Sequence, residues 1–213
     1  MEFIDLQLAQ YIEKHSSQES PILQKINRHT HAHVLKPRML SGHVQGRILS
    51  MLSKMMNPQH ILEIGTYTAY SAICLAEGLA EGGKLTTIDI NEEQEDLVKG
   101  FLSEAGLSEK VEHIIGNALE IIPTLAQEFD IVFIDADKQN YLNYYQLVID
   151  KVRPGGIIIL DNILWSGKVI QEVKAKDKDT QTILQVNQYI QEDPRVENVL
   201  LGVRDGLMIA RKK

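Results

Sequence analysis

A single cysteine, Cys74, is all the thiol chemistry the 213-residue chain carries. One thiol cannot close an intrachain disulfide, which fits a reducing compartment better than a disulfide-stapled secreted domain. Cys74 lies in the apolar stretch 71–79, so it reads as a buried core thiol. Long hydrophobic runs are missing too: nothing approaches the roughly 20 apolar residues that cross a bilayer. The opening Met-Glu-Phe-Ile-Asp has no basic stretch leading into an apolar one, so no secretory leader is expected and a cytoplasmic protein is. Basic charge is scarce overall. Twenty-two Lys and Arg against 29 Asp and Glu leave a formal net charge of −7, which gives no broad footprint for coating nucleic acid while leaving a local basic patch open. Repeats and low-complexity tracts are absent, and the apolar (44%) and charged (24%) shares exclude disordered and fibrous classes.

The length suits one domain, residues 1–213. Its first 58 residues read as helical: Phe3, Ile4, Leu6, Leu8, Tyr11 and Ile12 form one loose stripe, and Ile22, Leu23 and Ile26 a second. Val44, Ile48, Leu49, Leu52 and Met55 form a third at three- and four-residue spacing. Pro37 and Pro58 punctuate them. From residue 59 the rhythm changes. Short apolar runs at 61–64, 85–88, 111–115, 130–134 and 157–160 alternate with segments long enough for crossover helices. Strands that read as nearly continuous Ile, Val and Leu belong to a parallel sheet covered on both faces. The expected core, 59–213, is therefore an α/β, doubly wound, Rossmann-like sheet with helices on both faces. Runs 196–201 and 207–210 are joined by Gly202-Val203-Arg204-Asp205-Gly206, too short for a crossover helix, so they should be antiparallel neighbours.

In such a sheet ligands bind beyond the carboxyl ends of the strands. The first strand ends Glu63-Ile64-Gly65-Thr66-Tyr67-Thr68-Ala69-Tyr70-Ser71, where Gly65 permits a sharp turn and close approach to a ligand. Only one glycine stands there, so the G-x-G-x-x-G dinucleotide fingerprint is absent, and so is a Walker phosphate loop. Both a nicotinamide dehydrogenase and a P-loop enzyme are disfavoured. The second strand ends at Asp89, whose carboxylate can accept from two ribose hydroxyls or simply cap a helix. The third ends Gly116-Asn117-Ala118, small enough to admit an adenine. Together these point to a nucleoside ligand without a pyrophosphate.

The fourth strand ends Asp135-Ala136-Asp137-Lys138 and the fifth Asp161-Asn162. Side by side, Asp135, Asp161 and Asn162 offer hard oxygen ligands of the kind Mg²⁺ takes while keeping open positions. A partly desolvated lysine such as Lys138, beside a metal, can serve as a base. The competing reading is a plain turn at Asp161-Asn162 and a helix cap at Asp135.

The stretch Leu62 to Ser71, Asp135-Ala136-Asp137-Lys138-Gln139-Asn140-Tyr141, and Arg153-Pro154-Gly155-Gly156 with Asp161-Asn162 closely resemble the cation-dependent O-methyltransferases, the caffeoyl-CoA and catechol O-methyltransferase-like enzymes. The resemblance runs from about residue 35 to the C-terminus. It implies S-adenosylmethionine (SAM) as cosubstrate, contacted by Ser41, Glu63, Gly65, Thr66, Ser71, Asp89, Ala118 and Asp135, with Asp89 on the ribose. It implies a divalent cation, Mg²⁺ first, on Asp135, Asp161 and Asn162, with Lys138 as catalytic base. It also implies a seven-stranded sheet with a reversed C-terminal strand, and a homodimer in which helices of residues 1–58 serve the interface and the acceptor pocket. One departure is Gly42-His43, where the family more usually has Pro-Glu, so acceptor details of plant members do not transfer.

A vicinal aromatic diol of the catechol or caffeoyl type is the expected small-molecule acceptor, with residues 162–178 as a lid. Trp165 in that lid could stack on the acceptor ring or pack the lid base. An alternative acceptor is a hydroxylated uridine in transfer RNA, with Lys36, Arg38, the lid lysines 168, 174, 176 and 178, and Arg211-Lys212-Lys213 as phosphate contacts. A more distant alternative is a non-catalytic SAM- or nucleoside-binding protein, which intact Lys138 and ligand positions argue against. The run His29-Thr30-His31-Ala32-His33 alternates histidines, but at a helix end these do not share one face. Tyr144 and Tyr145 read as core and interface.

Overall fold

The computed structural model describes residues 4–213, so Phe3 of the first stripe lies outside the described residues. Helix α1 (Leu6–Lys14) starts where Asp5 Oδ1 accepts from the Gln7 and Leu8 amides at 2.8 and 3.3 Å, satisfying donors that a helix start leaves orphaned. Helix α2 (Pro21–His33) has proline at its first turn, where the missing N–H costs nothing. Helix α3 (Gly42–Met56) stops at Asn57, left-handed with φ 48°, just before Pro58. All three predicted helices are present. Gly42 itself has φ +74°, a conformation closed to proline, so the departure from Pro-Glu has a backbone reason. Its neighbour His43 docks α1's trailing segment, donating to the Ser17 carbonyl at 2.6 Å.

Strands β1 (His60–Ile64), β2 (Lys84–Asp89), β3 (Val111–Ile115), β4 (Phe129–Ile134), β5 (Val152–Asp161), β6 (Val196–Leu201) and β7 (Leu207–Lys212) form one sheet in the order β3-β2-β1-β4-β5-β7-β6. The first five pair in parallel, and β7 runs antiparallel to both β5 and β6. The expected seven-stranded sheet with a reversed last strand is thus present. The strand at 157–160 is longer than its apolar run: β5 begins at Val152, and its register against β4 shifts between Phe129 and Ile131. Arg153, bound to Asp130 at 2.5 Å, anchors the polar extension Arg153-Pro154-Gly155-Gly156.

Alternate residues of the central strands feed two cores, as the period of two demands. Leu62, Ile64, Val132, Ile134, Ile158 and Leu160 face helices α6 (Ala118–Ile121), α7 (Tyr141–Val148) and α8 (Lys178–Glu192). Ile61, Leu85, Ile131, Phe133, Ile157 and Ile159 face α2, α3, α4 (Tyr70–Ala76) and α5 (Glu95–Glu104). Cys74 is fully buried in the second core, and burial pushes its thiol up to about 12; it is the inert core thiol expected. Tyr144 and Tyr145 are buried too. Helices α3 and α4 are clamped where Glu77 accepts from Arg47, Ser50 and Lys54. Among the described residues no helix is long and apolar enough to cross a membrane.

Candidate active site

A cleft of about 1570 Å³ opens along the carboxyl ends of β1 to β5. Ser41, Gly65, Thr66, Ser71, Asp89, Ala118, Asp135, Lys138, Asp161 and Asn162 all line it; Glu63 lies just behind, wholly buried. The sequence-predicted residues therefore converge on one place.

The β1 turn explains part of this convergence. Gly65 has φ +102°, and a Cβ there would fall 2.0 Å from the Asp135 carbonyl oxygen. Only glycine lets the β1 and β4 ends come this close. The Gly65 amide donates to Ile88 and the Asp135 amide to Ile64, at 2.9 and 2.8 Å, so three strand ends are knitted together. Asp89 is aimed by the same loop: its Oδ2 accepts from the amides of Thr66 and Tyr67 at 3.0 and 2.8 Å, and Oδ1 from that of Asn91 at 2.9 Å. Glu63 Oε2 accepts from Thr87 at 2.6 Å, while Oε1 is buried with no partner among the described residues. Burial pushes this carboxyl up to about 8, with the Asp135 and Asp89 carboxylates adding to it.

Ile134 pairs with Leu160 across β4 and β5, so the following residues, Asp135 just past β4 and Asp161 at the last position of β5, are neighbours. Lys138 Nζ sits 3.0 Å from Asp135 Oδ1 and also donates to the buried Tyr141 hydroxyl. Burial, and then Asp135, push Asp161 above the usual carboxylate range. Asn162 follows with φ 57°, a left-handed turn that asparagine tolerates well. Among the described residues no three His, Cys, Asp or Glu side chains gather for a metal; here the donors are two carboxylates and an amide.

Four participants were not singled out from the sequence. Tyr67 donates its hydroxyl to the Leu35 and Lys36 carbonyls at 2.9 and 3.3 Å, tying the cleft loop to the α2–α3 connection. Tyr141 meets Lys138; its place three residues beyond, on the helix that follows, was the available signal. Gln45 and Arg204 reach Asp161 and Ser41 from distant segments, and no local signal marks either. Of the lid lysines only Lys168 lines the cleft, paired with Asp177 at 3.0 Å. Trp165 lines it as well and packs partly on the core, through a left-handed turn at Trp165 and Ser166. Arg211 pairs with Glu197 at 2.7 Å, and Lys212 donates to the Ile149 and Val152 carbonyls, so these tail cations are engaged within the fold. His29 and His33 make a tilted ring contact on one side of α2, with centroids 4.9 Å apart and planes 49° from parallel, while His31 bonds its own helix at Asn27.

A cleft at the carboxyl edge of a doubly wound sheet, with an aimed acid after β2 and no pyrophosphate loop, belongs to the class of nucleoside-binding α/β enzymes. Residues 13–213 match the O-methyltransferase family model. A caffeoyl-CoA O-methyltransferase of Medicago sativa is 36% identical over 179 residues, covering 79% of this chain and 72% of its own; one from Arabidopsis thaliana is 35% identical, covering 79% and 69%. An O-methyltransferase from Bacillus cereus in complex with SAH superposes with a TM-score of 0.90 at 31% identity, over 97% of both chains. TomG of Streptomyces achromogenes, in complex with SAM, gives 0.90 at 28%, over 97% and 96%. The chain belongs to the O-methyltransferase family and is a SAM-dependent O-methyltransferase of the caffeoyl-CoA type. These relatives' names lend the transfer-RNA reading no support.

Proposed function

We propose that the protein transfers the methyl group of SAM to one hydroxyl of a vicinal aromatic diol, a catechol- or caffeoyl-type small molecule, with the help of a divalent cation. The observation that carries this reading is the convergence of Asp135, Lys138, Asp161 and Asn162 in the cleft. Their chemistry fits a hard ion such as Mg²⁺, which takes one or two carboxylates and leaves positions for water or substrate oxygens. A buried Asp161 held above the usual range by burial and by Asp135 is a carboxylate short of positive charge. Asp135, Asp161 and Asn162 would hold the ion. When bound, it would supply orientation and charge neutralisation to the acceptor oxygens, chemistry that suits a diol better than a lone hydroxyl. The caffeoyl-CoA relatives support the same acceptor class.

The chain's own groups do the rest. Lys138 is the base that takes the hydroxyl proton, with its Nζ held between Asp135 and Tyr141. Gly65 and Thr66 form the turn that admits the cosubstrate, Asp89 accepts from its ribose hydroxyls, and Ala118 leaves room for the adenine. Ser41, Ser71 and Asp135 complete that wall. The orphaned Glu63 Oε1 is the acceptor that a cationic amino group requires. Holding both reactants in line is the main source of rate, because the sulfonium is already a good methyl donor.

The test is methyl transfer from labelled SAM to a panel of caffeate and catechol acceptors, with and without chelator. Chelator-sensitive labelling is expected, and Asp161→Ala should abolish turnover while SAH still binds. Full activity under chelation and in that variant would sink the metal reading.

A further inference from the structure

Two side chains outside every motif connect the two walls of the cleft. Gln45, on α3, is wholly buried, and its Nε2 donates to Asp161 Oδ2 at 2.6 Å across 116 residues of sequence. The other carboxylate oxygen, Oδ1, accepts from the Asn162 amide at 2.7 Å. With a donor on each oxygen, the Asp161 carboxylate cannot turn without leaving a buried polar group unpaired. At its other end, Gln45 Oε1 lies 3.4 Å from Arg204 Nη1. That same nitrogen donates to the carbonyls of Leu40, at 2.9 Å, and Ser41.

The placement of Arg204 is itself braced. It sits in the turn between β6 and β7 with φ 50°. The adjacent Asp205 accepts from the Leu164 amide through its carbonyl at 2.9 Å and from the Ser166 amide through its side chain at 2.5 Å. The turn therefore holds both the start of α3 and the segment leaving Asn162. An amide between a guanidinium and a carboxylate has one good orientation: oxygen to the cation, NH₂ to the anion. Flipping it would set donor against donor and acceptor against acceptor.

We propose that Gln45 and Arg204 are positioning residues for the cation site. Arg204 fixes which way the Gln45 amide points, and Gln45 holds the Asp161 carboxylate in the rotamer that ligates the ion. The inference rests on the metal reading of Asp161 given above. Partners of this kind, one bond removed from the ion, typically carry about 10- to 100-fold in metal affinity.

The experiment is an EPR titration of the full chain with Mn²⁺, alongside calorimetric SAH binding. Gln45→Met keeps the volume and removes the donor. It should weaken Mn²⁺ about tenfold or more while SAH affinity stays within about twofold. Arg204→Met should weaken Mn²⁺ in the wild-type background and add nothing in the Gln45→Met background, because it acts through the same amide. Equal Mn²⁺ affinity in wild type and Gln45→Met overturns the inference and leaves the metal reading standing; additive losses overturn the role given to Arg204. A wild type that binds no Mn²⁺ overturns the metal reading and this inference with it. Should Gln45→Met fail to fold, the wild-type Gln45 side-chain NH₂ resonances decide. They should be protected from exchange and shift on adding Mg²⁺, and exchange-labile or unmoved signals refute the assignment.

Discussion

Replacing Gly65 by alanine adds one methyl group at the point where three strand ends meet. The new Cβ would lie 2.0 Å from the Asp135 carbonyl oxygen and 2.7 Å from its carbon, both backbone atoms, and ordinary contact begins near 3.4 Å. Relief requires the β1 and β4 ends to part by roughly 1.4 Å, the shortfall between those two distances. Neither side can yield freely, because the Gly65 amide is bound to Ile88 and the Asp135 amide to Ile64. The φ of +102° adds backbone strain to the overlap. A displacement of about 1 Å in a positioned site costs on the order of 100-fold, or roughly 2.7 kcal/mol. Gly65→Ala should therefore weaken SAH by about that factor, measured by calorimetry, and lower methyl transfer at least as far. The control is the same substitution at Gly100, exposed on α5 with open space where the Cβ would go. There alanine should stabilise by up to about 1 kcal/mol through helix propensity and leave SAH binding unchanged. Gly65→Ala binding SAH within about fivefold of wild type would refute the close-approach argument.

Glu77 offers a pH-dependent test. Burial opposes its ionisation, but hydrogen bonds from Arg47, Ser50 and Lys54 overcome this and lower the carboxyl from 4.5 to about 2. A depressed folded value means that this stability is complete above pH 4.5 and is lost as pH falls toward 2. Glu77→Gln should cost about 2–3 kcal/mol at neutral pH, lowering Tm by roughly 4–12 °C. In urea titrations the gap between variant and wild type should close between pH 4.5 and 2; a gap that persists undiminished to the acid end contradicts the assignment. Lys138→Met should lower kcat by about 10²- to 10⁴-fold, the usual weight of a general base. SAH affinity, followed by calorimetry, should hardly change; near-normal turnover would remove Lys138 from the base role.

Much was legible in the sequence because it depends on local order along the chain. Parallel strands buried on both faces must be runs of Ile, Val and Leu, so their ends can be read off. The fold then places whatever follows those ends in one cleft. Gly65, Asp89, Ala118, Asp135, Lys138 and Asp161 all occupy such positions. The hairpin of β6 and β7 was legible too, since a five-residue connection permits nothing else. The family resemblance implied only a reversed last strand; that β7, and not β6, lies against β5 was decided by the tertiary structure, because a hairpin alone can lie either way round beside a sheet edge. The early start of β5 was not legible, as Arg153 to Gly156 is polar and glycine-rich and lies in the register shift between the Phe129–Val152 and Ile131–Ile157 pairs, held to β4 through the bond from Arg153 to Asp130. Gln45 and Arg204 were invisible for a different reason. Each is an ordinary polar residue in its own segment, and only the packing of α3 and the β6–β7 turn over the sheet brings them to Asp161 and Ser41. Sequence by itself determined which residues stand at the strand ends that face the cleft; tertiary structure decided which distant side chains hold that chemistry in place, because contacts across 116 residues are set by docking geometry and leave no periodic trace in the chain.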